Sequence, residues 1–253
     1  MKSTRFSMSR VASRFVGMLM LLANHVHADP RLAPLPTQLP TMSAVPTCPA
    51  QFVARLDTSF IADPAVTLSP PSRLLVCQSS QTDPKDGLAR ISIALWSADA
   101  KLLAQSLVPL DVEGQLQAIE QHTPSYVLTP DGHALALTLA VRAHEVDYDK
   151  HSTELWLFWF DGKTIRPLFT ANLALEQWPT QCADANSCQE RIHETSRLVL
   201  QPTSAAEFPR LMLLKTREIF GDVAATTPQE RVTEQQEYRF DGARYEPTSA
   251  NLQ

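Results

Sequence analysis

From about Gln51 onward, apolar residues recur at every second position in successive short segments, the period of a β-strand rather than of a helix. In Arg90 to Trp96, Ile91, Ile93 and Leu95 fall on one side and Arg90, Ser92 and Ala94 on the other, which predicts a half-buried strand. Leu135, Leu137, Leu139 and Val141 alternate with Ala134, Ala136, Thr138 and Ala140, so this segment is mostly apolar on both sides and is expected at the centre of a sheet. Glu154 to Phe160 sets Leu155, Leu157 and Trp159 against Trp156, Phe158 and Phe160, again with no wet side. Leu198 to Leu200, Arg210 to Thr216 and Arg231 to Phe240 continue the series. In the last of these, Arg231, Thr233, Gln235, Glu237 and Arg239 form a solvated face. Two segments depart from the pattern. Asp111 to His122 carries Val112, Leu116 and Ile119 at helical spacing, with Asp111 as a cap, and Asp184 to Thr195 reads as a second short helix.

The strands are separated by recurrent turn signals: Ser97-Ala98-Asp99-Ala100, Thr129-Pro130-Asp131-Gly132, Phe160-Asp161-Gly162-Lys163 and Phe240-Asp241-Gly242-Ala243. Asp-Gly supplies the positive φ values that tight hairpins require. The expected fold is mainly β, an antiparallel meander forming a sandwich or a propeller-like array of hairpins, with one or two short helices. Propeller blades of roughly 40 to 50 residues would leave room for only four or five, which favours the meander.

The first 49 residues belong to none of these strands. Lys2, Arg5, Arg10 and Arg14 precede an uncharged apolar run from Phe15 to Ala23, and Val26 and Ala28 stand three and one positions before Asp29. That order is expected of a secretory signal peptide over 1–28, and the run is short against the roughly 20 residues of a membrane-spanning helix. No stable membrane anchor is therefore expected. Residues 29–49 hold Pro30, Pro34, Pro36, Pro40, Pro46 and Pro49, which predicts an extended leader. One β-rich domain is expected over 50–253, with a subdivision near 180–195 as the variant.

Charge and cysteine narrow the reading. Loss of the four leading basic residues leaves 18 Lys and Arg against 27 Asp and Glu, a net charge of −9 with histidine neutral. An acidic surface repels phosphate backbones, so nucleic acid is not an expected ligand, and a cationic partner is favoured. Cys48, Cys77, Cys182 and Cys188 are even in number in a chain with an export signal, so two disulfides are expected, Cys48 with Cys77 and Cys182 with Cys188, the pairings that close the shorter loops.

The chemistry search mainly excludes. No two glycines beyond residue 28 lie within five positions of each other, which leaves no glycine-rich phosphate loop and no Gly-x-Ser-x-Gly elbow. His193-Glu194 opens like a zinc-protease motif but has Arg197 where the second histidine belongs, and His144-Glu145 fails likewise at Tyr148. No cofactor and no metal ligand set is expected. One acidic cluster remains, Glu145, Asp147, Asp149 and Glu154 with His144 and His151, immediately before the aromatic run. It could be a solvated loop guarding a sheet edge, a calcium-holding loop, a partner-facing patch or an acid–base pair. The aromatic run is expected to be core, with Trp156 as the exception that would join Glu145, Asp147, Asp149, His151 and Glu154 in a partner-binding surface. The expected function is an exported, non-catalytic binding or inhibitor protein of immunity type, covering a cationic toxin or hydrolase in the periplasm or outside the cell. An exported hydrolase acting through Asp147, Asp149 and His151, or an envelope assembly factor recruited by the leader, are the alternatives.

Overall fold

Side-chain alternation is realised as twelve antiparallel strands in a computed structural model that describes residues 46–248, except 84, 86, 123–125, 127, 130, 147, 181–189, 204–206 and 222–224. Strands β1 (Phe52–Ser59), β2 (Arg73–Ser79), β3 (Ala89–Trp96) and β4 (Leu102–Leu110) form a four-stranded sheet in chain order. The second sheet holds eight strands, also in chain order: β5 (Gln115–Gln121), β6 (His133–His144), β7 (Tyr148–Phe160), β8 (Ile165–Pro179), β9 (Arg191–Gln201), β10 (Arg210–Phe220), β11 (Glu230–Phe240) and β12 (Tyr245–Pro247). Every ladder joins strands consecutive in sequence, so the fold is a meander in two sheets and not a propeller.

β7 has a core on each face. Trp156, Phe158 and Phe160 pack with Leu135, Leu137 and Leu139 of β6 against Leu74, Val76, Ile91, Ile93 and Leu95 of the four-stranded sheet. Leu155, Leu157 and Trp159 face the other way, into a second cluster with Leu168, Phe169, Leu211 and Tyr245. Leu198, Leu200, Tyr238 and Phe240 pack against that cluster, so β9–β12 cover the face of β7 turned away from the first sheet. Each fully buried leucine or phenylalanine of these layers contributes about 1.5–3 kcal/mol. Both faces of β7 are thereby consumed by packing, including Trp156, which is only 5 % exposed.

The helices expected from the sequence are absent among the described residues. Gln115–Gln121 is strand β5, and Arg191–Thr195 opens strand β9, while 181–189 lie outside the described residues. In β5 a bulge sets Leu116 opposite Val141 and Ala118 opposite Ala140, leaving Gln117 extra. The bulge brings Leu116 and Ile119 to the same buried side at a spacing of three, which imitates a helical repeat.

The Asp-Gly signals mark real turns. Asp161 accepts hydrogen bonds from the backbone N–H of Lys163 (2.9 Å) and Thr164 (2.7 Å), and Asp241 accepts from Ala243 (2.7 Å) and Arg244 (2.9 Å). Gly162 (φ 92°) and Gly242 (φ 105°) take the positive φ expected of them. Gly132 does not, and its requirement is room: a Cβ there would lie 2.3 Å from Trp159 Cζ2 and 2.7 Å from the Phe160 carbonyl oxygen. The Cys48–Cys77 disulfide is formed and ties the chain before β1 to the middle of β2. Cys182 and Cys188 lie outside the described residues.

Candidate functional site

The β6–β7 hairpin carries the acidic cluster, and its register, His144 opposite Asp149, places the turn at 145–148. The apex is held by three contacts. The Glu145 N–H donates to the Tyr148 carbonyl (2.9 Å), the Thr180 hydroxyl donates to the Val146 carbonyl (2.7 Å), and His144 Nδ1 pairs with Asp149 Oδ1 at 2.5 Å. Glu145 is exposed, and Val146, at 78 %, is the most exposed large apolar side chain among the described residues. Asp147 lies outside the described residues.

Strand geometry divides the sequence-predicted residues between two faces. Asp149 and His151 share the side of β7 that continues into Leu155 and Leu157. Glu154 shares the side of Trp156 and Phe158, at the margin of the core between the sheets. The Trp156 indole N–H donates to Glu154 Oε2 (3.0 Å), so Trp156 is a core residue whose polar atom is satisfied internally and presents no platform to a partner. Burial pushes the Glu154 carboxyl above the ordinary range, and Asp111 and Glu113 act in the same direction against the Trp156 hydrogen bond and Lys150. Asp149 is held below the ordinary range, chiefly by its hydrogen bond to His144 and further by the charge of His144, Arg142 and His151. The single cluster read from the sequence is thus two environments, one at the hairpin surface and one partly buried at the core margin.

Neighbours from other segments join both environments. Glu113, from the β4–β5 connection, forms an ion pair with Lys150 while keeping 81 % of its side chain exposed. A groove of about 610 Å³ runs between the β4–β5 connection and the end of β6, lined by Glu113, Gly114, Gln115, Arg142, His144 and Glu145. From the hairpin a row crosses the sheet in register: Arg142, His151, Glu176, His193, Glu218 and Arg231. Within it His193 Nδ1 lies 3.4 Å from Glu218, Arg231 lies 3.2 Å from Glu218, and His151 meets Trp178 edge-on with centroids 5.1 Å apart. Spacing along the chain shows neither Glu113 nor this row, because the β4–β5 connection brings the one and strand register the other. Val146 was legible only as an apolar residue between two acidic ones.

The chemistry available to this surface is that of paired, solvated charges. Among the described residues, no three His, Cys, Asp or Glu side chains converge to hold a metal ion. Asp149 accepts from His144, and His151 packs edge-on against Trp178. Comparison with family models, curated proteins and solved structures finds no match, and the chain is assigned to no family.

Proposed function

We propose that the protein is an exported, non-catalytic binding protein of inhibitor or immunity type that engages a cationic protein partner through the tip of the β6–β7 hairpin. The observation that carries the reading is Val146: a large apolar residue 78 % exposed at the apex of a hydrogen-bonded turn, with exposed Glu145 beside it and Glu113 across the groove. An exposed apolar anchor with a carboxylate beside it is the composition of an interface centre with a polar rim. The hydrogen bonds that hold Glu145 to Tyr148 and Val146 to Thr180 lower the ordering cost of binding. The Cys48–Cys77 disulfide is consistent with an oxidising compartment, and removal of residues 1–28 by signal cleavage belongs to the same proposal. A hydrolase built on Asp149 and His151 is less favoured, since Asp149 is committed to His144.

The test is affinity capture by the mature chain from envelope extracts of the cells that produce it, run beside Val146→Asp and Glu145→Lys. The reading expects one stoichiometric partner, retained at least about tenfold less by each variant at unchanged melting temperature. Equal retention by the variants would refute it.

A further inference from the structure

We infer that the outer edge of β8 forms a second binding site, one that accepts an extended peptide segment of a partner protein as an added strand. The inference goes beyond the hairpin reading and lies on different residues.

β8 is fifteen residues long and pairs with β7 along nearly its whole length, from Ile165 to Pro179. On its other edge it pairs with β9 only through Ala174–Gln177. A bulge at Leu173 marks the point where the two edges part company, with Thr153 opposite Ala174 but Glu154 opposite Asn172. From Ile165 to Leu173 the outer edge of β8 has no ladder partner among the described residues; β4 approaches β8 but belongs to the other sheet. Unpaired strand edges are templates for strand addition, and proteins normally shorten, charge or cover them. This one has the exposed Arg166 at its start and then Pro167, Leu168, Phe169, Thr170, Ala171 and Asn172, none of them charged, of which Pro167, Thr170 and Asn172 are exposed.

The edge opens onto a cleft. Two adjoining hollows of about 360 and 330 Å³ meet at Thr170 and Tyr238. Their linings show how the strands stand. On the β8 side the lining residues are consecutive, Pro167 through Asn172, as for a strand seen along its edge. On the opposite side of the second hollow they alternate, Leu213 and Lys215 from β10, Glu234, Gln236 and Tyr238 from β11, as for a sheet seen face-on, while Arg244, Tyr245 and Glu246 at the start of β12 close the first. A backbone edge therefore forms the wall and a sheet face the floor. A strand laid against the wall would direct every second side chain onto Leu213 and Tyr238 and the others to solvent. Lys215 is neutralised at 2.7 Å by Glu194, itself only 8 % exposed, and Arg244 pairs with Glu246, so the exposed carboxylate of Glu234 sets the charge the floor presents to its occupant. The six-residue wall spans roughly 20 Å, room for a peptide of about six residues. The occupant is thus a segment of alternating apolar and polar residues without net negative charge, recognised through main-chain hydrogen bonds, with Glu234 as the partner for a cationic side chain.

The experiment pans random octapeptides displayed on phage against the intact mature protein, then measures the enriched peptides as synthetic ligands. N-methyl groups are placed on alternate backbone nitrogens, and amide shifts are followed in the labelled protein. The inference expects enriched sequences of alternating pattern, shifts centred on Leu168–Asn172, at least tenfold weaker binding when one alternate set of nitrogens is methylated, and little loss from the other set. Leu213→Asp should weaken the same peptides, while Glu145→Lys should leave them unaffected, which separates this site from the hairpin. No enrichment, equal tolerance of both methylation patterns, or shifts confined to other surfaces would overturn it. So would self-association of the chain through β8 in sedimentation, which would make a second copy the occupant. Because the methyl groups sit on the probe, the outcome does not depend on a variant folding.

Discussion

At the scale of single residues, the two clearest constraints are one of space and one of charge. Gly132 has no positive φ, yet Trp159 and the Phe160 carbonyl leave no volume for a methyl group, so Gly132→Ala should destabilise by about 1–3 kcal/mol in urea melts. Gly87→Ala, at φ 73° with nothing near, should cost only about 1–2 kcal/mol of backbone strain. His133 is 2 % exposed; its Nε2 donates to the Leu68 carbonyl (2.9 Å), its ring meets Phe60 edge-on, and its Nδ1 is buried without a partner. Burial lowers its pKa, with the Leu68 carbonyl and Asp63 opposing. The folded state then binds fewer protons than the unfolded one, so the contribution is complete above about pH 6.5 and is lost as pH falls below it. Urea midpoints should drop between pH 7.5 and 5.5, and His133→Leu should flatten that slope. Asp149 and Asp57 are lowered carboxylates, and their contributions disappear in a more acidic window, below about pH 4.

At the scale of elements, regular alternation was legible and interrupted alternation was not. The double-sided pattern of β7 named the two faces that the structure uses, one for each core. Leu157→Ala should therefore cost about 2–5 kcal/mol, whereas Leu107→Ala, on a residue 60 % exposed, should stay within about 0.5 kcal/mol, as denaturant titration can show. β5 imitated a helix because its bulge shifts the buried side from a spacing of two to three. β8 escaped notice for a related reason: bulges at Leu168 and Leu173 put neighbouring residues on one side, so Leu168 and Phe169 are buried in succession. The acidic cluster was legible as composition but not as geometry. Period two, the rule that found the strands, sends Asp149 and Glu154 to opposite faces, while strand register brings His193 into the surface and the β4–β5 connection brings Glu113.

At the scale of the whole molecule, the two sheets share one core and the fold-over of β9–β12 supplies a second, so β7 unites both halves. The Cys48–Cys77 disulfide joins positions 29 residues apart, and chain entropy gives such a loop about 3–4 kcal/mol. The Cys48→Ser, Cys77→Ser double variant should lower the urea midpoint accordingly without unfolding the protein at room temperature. Its retention of partner binding would separate the staple from the site, since Val146 and Glu145 belong to the other sheet. If the proposed hairpin binding to a cationic partner holds, the association should weaken with salt, as steering through Glu145 is screened over about 8 Å at physiological ionic strength. The most direct test of the hairpin's role is the side-by-side capture of partner by the wild-type mature chain and by Val146→Asp. A single stoichiometric protein held by the first and at least about tenfold less by the second, with equal melting temperatures, is the predicted result. Equal capture by both, or no stoichiometric protein on either, would contradict it.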